Sequence, residues 1–102
     1  MSKGLLSRQG KSVVFEYDGT TYELTDQPYE PCIYVKKDGV TVRTLHNAFT
    51  VYDLPEWFDE GHTISANGGK SLDRKAFCKV IAAAIESDRS EMDFVEAERL
   101  SY

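Results

Sequence analysis

No apolar run in this chain approaches the roughly 20 residues that a membrane span requires. The opening segment MSKGLLSRQGK also lacks the continuous apolar stretch of a secretory signal. Together these point to a cytoplasmic protein with no membrane partner. Cysteine is scarce: Cys32 and Cys78 are the only two. They are too few for a disulfide framework and form no CxxC pair, so both read as free, buried thiols in a reducing compartment. Cations are outnumbered, 12 Lys and Arg against 17 Asp and Glu, for a net charge of −5. That balance favours solubility and makes nucleic acid an unlikely partner.

Charge is also unevenly spread. Residues 1–11 carry Lys3, Arg8 and Lys11 without an acid, mixed with glycine and serine. They read as a flexible basic arm. Residues 86–102 carry six acids against Arg89 and Arg99, so 89–102 reads as an acidic C-terminal helix or tail. Between them, 12–88 reads as one domain, in keeping with a length of 102 residues.

What the domain does have is one strong helical period. In Leu72–Ser87, Phe77, Val80, Ile81, Ala84 and Ile85 recur at i, i+3, i+4, i+7 and i+8, an apolar stripe that needs a partner surface. Alternating segments supply one. Val13, Phe15 and Tyr17 alternate up to Asp18-Gly19, and Tyr22 and Leu24 continue beyond it. Ile33 and Val35, Asp38-Gly39, then Val40 and Val42 repeat the pattern. Both are hairpin signatures, because Asp-Gly suits the tight turns that need positive φ. Pro28 and Pro31 make the segment between them a stiff crossing.

His46-Asn47 reads as a turn, followed by a short strand at Phe49–Val51. Asp53 with Glu56 three residues on, Pro55 in the first turn and Gly61 just past the end describe a two-turn helix over Leu54–Glu60. His62–Ala66 reads as a strand, Asn67-Gly68 as a turn and Gly69–Leu72 as its return. Asp73 or Ser71 caps the long helix, and Ser90 opens a last helix, Glu91–Leu100. The expected order is β-β-β-β-α-β-α-α, an α+β fold with a mainly antiparallel sheet and the long helix across one face. Phe15, Tyr22, Leu24, Ile33, Val35, Val42, Phe77, Ile81, Ala84 and Ile85 form the expected core.

Chemistry-bearing motifs are few. Cys32, His46, His62 and Cys78 are the residue types of tetrahedral zinc. Their intervals of 14, 16 and 16 include no close chelating pair, so no metal site is expected. Neither cysteine lies in the signature of a thiol enzyme, and no catalytic residue or cofactor is expected. Gly69-Lys70-Ser71 ends like a phosphate-binding loop, but the position of its first glycine is Ile64. A looser anion site remains, built from Lys70, Arg74, Lys75 and Lys79 near a helix N-terminus. Those cations sit at the end where the helix dipole opposes them, with Glu86 and Asp88 at the other.

Trp57, the one tryptophan, lies in DLPEWFDE among Asp53, Glu56, Asp59 and Glu60. Leu54 and Phe58 share a face at i, i+4, which turns Trp57 outward. An exposed aromatic with an acidic rim has the composition of an interface anchor. The sequence therefore describes a non-enzymatic accessory or adaptor module that binds an unspecified protein through this acidic aromatic surface, as a monomer or weak homodimer. The alternative is an anion- or nucleic-acid-binding module using the four basic residues.

Overall fold

Two Asp-Gly turns set the register of the sheet. Asp18 and Gly19 have φ of 52° and 80°, and Asp38 and Gly39 have 55° and 81°. With both central residues at positive φ, each turn carries the twist that antiparallel neighbours need. The computed structural model describes residues 5–65 and 70–102. The first turn joins β2 (Ser12–Tyr17) to β3 (Thr20–Asp26), the second β4 (Ile33–Lys37) to β5 (Val40–His46). A strand β1 (Leu6–Gln9) precedes them, and β6 (Glu91–Asp93) closes the sheet. The spatial order is β1-β2-β3-β4-β5-β6. Neighbours are antiparallel except β5 and β6, which run parallel.

One face of the sheet carries Val13, Phe15, Leu24, Ile33, Val35 and Leu45, all buried. Alternate positions such as Glu16 and Thr21 are exposed, as the twofold period of a strand requires. Over the buried face lie α1 (Leu54–Asp59), α2 (Arg74–Glu86) and α3 (Phe94–Leu100). Helix α2 contributes Phe77, Val80, Ile81 and Ala84 to the core. Its N-cap is Asp73, whose carboxylate accepts from the Ala76 N–H at 2.9 Å. Seven of the expected core residues are buried, and Tyr22, Val42 and Ile85 pack against them at its margin.

The far end of α2 is held from the sheet. Arg43 Nε donates to Ala84 O at 2.9 Å and Nη2 to Ile85 O at 3.0 Å. The same guanidinium reaches Ser87 O, and its Nη1 donates to Val42 O at 2.7 Å. Arg43 thus supplies the positive charge that the last turn of α2 lacks in its own sequence. This offsets the reversed charge pattern at the C-terminal end of that helix only.

Several expectations are corrected. Residues 6–9 are not part of an arm: Leu6 pairs with Phe15 and is 1% exposed. Phe49–Val51 forms no strand, although Val51 is buried and Phe49 meets Phe94 edge-on at 5.3 Å. Of the strand expected between α1 and α2, the described residues show one bridge, Ile64 with Leu72. The turn expected at Asn67-Gly68, with Ala66 and Gly69 beside it, lies outside the described residues. Ser90 does not open the last helix. Glu91, Met92 and Asp93 alternate exposed, buried, exposed as β6. Helix α3 begins only after Asp93, whose N–H donates to Glu96 at 3.2 Å. That helix docks firmly, with Phe94 and Ala97 fully buried.

Candidate functional site

Helix α1 turns Leu54, Pro55 and Phe58 inward and leaves Glu56, Trp57 and Asp59 exposed. It ends in a left-handed reversal. Gly61, at φ 90°, donates to Phe58 O at 3.0 Å, and the His62 N–H donates to Trp57 O at 3.2 Å. This pair of bonds is a Schellman ending, for which glycine is the favoured residue. It folds the chain back so that the His62 ring stacks on the indole, centroids 4.0 Å apart. The indole Nε1–H donates to Thr63 O at 3.0 Å. Trp57 is consequently fixed in place yet 42% exposed.

The acids around it are not the free rim that the sequence suggests. Arg8, from β1, pairs with Glu56 and lies 3.5 Å from Asp53. Its guanidinium also donates to Tyr52 O and sits 4.1 Å over the Tyr52 ring. Asp59 pairs with Arg74, and Glu60 lies 3.3 Å from His62 Nε2. Asp53 does not cap α1 through its side chain, being turned into helical φ and ψ. The surface is still aromatic and acidic, but each of its carboxylates has an internal partner.

The four basic residues do not gather around one point. Arg74 is held by Asp59 and by Pro55 O at 3.0 Å. Lys70 Nζ lies 4.2 Å over the Tyr102 ring. Lys75 and Lys79 are exposed on α2, and neither forms an ion pair among the described residues. Lys75 edges a shallow cleft of about 450 Å³ whose wall includes Leu5, Phe58, Arg74 and Cys78.

A second group of side chains is brought together by the β4–β5 hairpin, although its spacing along the chain gives no sign of it. Residues 33 and 45 are partners across the β4–β5 ladder, so Cys32 and His46 stand opposite each other one step beyond. Cys32 Sγ lies 3.3 Å from His46 Nδ1 and 3.7 Å from Glu30 Oε1. His46 Nε2 lies 3.0 Å from Glu91 Oε1 on β6. Burial, followed by the Glu30 carboxylate, raises the Cys32 thiol above its ordinary pKa. The remaining candidates are elsewhere: His62 on Trp57, and Cys78 on α2, where burial pushes its pKa up to about 12. The clue available in the sequence was the Asp38-Gly39 turn, because a hairpin makes distant residues neighbours.

No described helix is long and apolar enough to cross a membrane. No family model, curated protein or solved structure matches the chain.

Proposed function

We propose that this chain is a non-enzymatic accessory module of the cytoplasm that binds another protein through the exposed face of α1, with Trp57 as its anchor. The observation that carries the reading is an indole 42% exposed yet immobilised by the His62 stack and the Thr63 hydrogen bond. Fixing an aromatic before binding removes ordering cost at the moment of association, and tryptophan is among the residues that most often dominate interface energies. Tyr52, 41% exposed and braced by Arg8, adds aromatic area next to α1.

Internal pairing alters the part played by the acids. Arg8 and Arg74 neutralise Glu56 and Asp59, so the negative field that speeds encounter with a basic partner is what Asp53 and Glu60 leave over, not a set of vacant ion-pair sites.

Parallel affinity capture with the wild-type chain and Trp57→Ala tests the reading. A protein retained by the first and lost by the second, with circular dichroism unchanged, is the expected result. Identical protein sets on both baits would remove Trp57 as anchor.

A further inference from the structure

We propose that Glu30, Cys32 and His46 form a binding site for a zinc-class divalent cation, with Glu91 orienting the imidazole. The donor geometry argues for it first. Tetrahedral zinc with a sulfur at about 2.3 Å and nitrogen or oxygen at about 2.0–2.2 Å requires donor separations of about 3.3–3.7 Å. The sulfur-to-nitrogen and sulfur-to-oxygen distances are 3.3 and 3.7 Å. All three donor atoms lie within 4.8 Å of one another. Two edges of the ligand triangle therefore have the required length. Rotation of the exposed Glu30 side chain closes the third.

The backbone holds this arrangement by itself. Cys32 and His46 stand opposite each other one step past the last β4–β5 pair, Ile33 with Leu45. The Cys32 N–H donates to Glu30 O at 2.8 Å, turning Glu30 back toward the sulfur. The Ala48 N–H donates to Pro31 O at 2.7 Å and ties the two strand ends together. Cys32 and His46 are thus preorganised as a metal site needs, and only the Glu30 side chain, in the bend before β4, has to turn.

Two further features point to a cation. The Glu91 carboxylate lies against His46 Nε2, which leaves Nδ1 facing the sulfur, as in the carboxylate–histidine–metal arrangement. Among the described residues, neither Glu30 nor Glu91 pairs with a lysine or arginine. Sulfur and imidazole donors select a borderline metal over magnesium or calcium. As the metal–sulfur bond forms, the Cys32 thiol gives its proton to solvent. Three protein ligands leave the fourth position to water.

The test is calorimetric titration of the full chain with zinc chloride, together with cobalt(II) absorption spectra. One zinc per chain is expected, with a sulfur-to-cobalt charge-transfer band that Cys32→Ser abolishes. His46→Gln and Glu30→Gln each weaken binding by at least about tenfold, and Glu91→Gln by about 10–100-fold. These three also serve if Cys32→Ser does not fold. Cys78→Ser and His62→Gln leave affinity unchanged. Absence of zinc binding overturns the proposal. So does equal affinity in folded His46→Gln, or loss of binding in Cys78→Ser or His62→Gln.

Discussion

Removing the Arg43 guanidinium tests how the long helix is joined to the sheet. In Arg43→Met the hydrocarbon stem stays and the donors vanish. The carbonyls of Ala84, Ile85, Ser87 and Val42 then lose their partner. A hydrogen bond from a charged group contributes about 1.5–3 kcal/mol, but these four share one side chain and do not add in full. A cation at a helix C-terminus adds about 0.3–1 kcal/mol. The expected loss is therefore about 2–4 kcal/mol, which in a domain of this size lowers Tm by roughly 10–30 °C. Arg43→Lys keeps the charge but not the planar fork, and should recover about 1 kcal/mol of that loss. Urea unfolding followed by circular dichroism measures all three proteins. An Arg43→Met midpoint that matches the wild type with an unchanged slope would refute the reasoning. The carbonyls would then be as well served by water.

Ile81 is fully buried at the centre of the α2 stripe, so Ile81→Ala is expected to cost about 2–5 kcal/mol in urea unfolding; a loss under about 0.5 kcal/mol would mean that α2 packs by another face. Gly39 at φ 81° has open space around it, so Gly39→Val acts through backbone strain alone, by roughly 1 kcal/mol or more. Unchanged stability there would contradict the turn. Burial raises Cys78 from 9.0 to about 12, so the unfolded chain ionises first and stability falls as pH rises through that interval. Cys78→Ala should flatten this alkaline loss, and an equally steep loss in the variant would assign it to other groups.

What the sequence disclosed was local. The Asp-Gly turns, the stripe of α2 and the Gly61 ending are each written within a few residues, and each is present. What stayed hidden depends on partners far along the chain. Leu6–Gln9 has no period strong enough to announce a strand, and it becomes one by pairing with β2. The acids around α1 look free until Arg8 and Arg74 arrive from other elements. Arg43 likewise neutralises a helix end that carries no cation of its own. What conceals the closeness of Cys32 and His46 is different in kind. Separation along the chain is a poor measure of distance once a hairpin turn lies between two residues.

The sheet ends in its two shortest strands, four residues in β1 and three in β6. A sheet edge exposes unpaired N–H and C=O groups, which invite another chain to add a strand and begin aggregation. Here the invitation is brief on both sides. Arg8 lies along one edge, pinned to α1, and Glu91 and Asp93 flank the buried Met92 on the other. A foreign strand would find too few residues for a stable ladder, and charge where it needs apolar cover. Contacts made by edge-to-edge pairing are thus disfavoured at both margins.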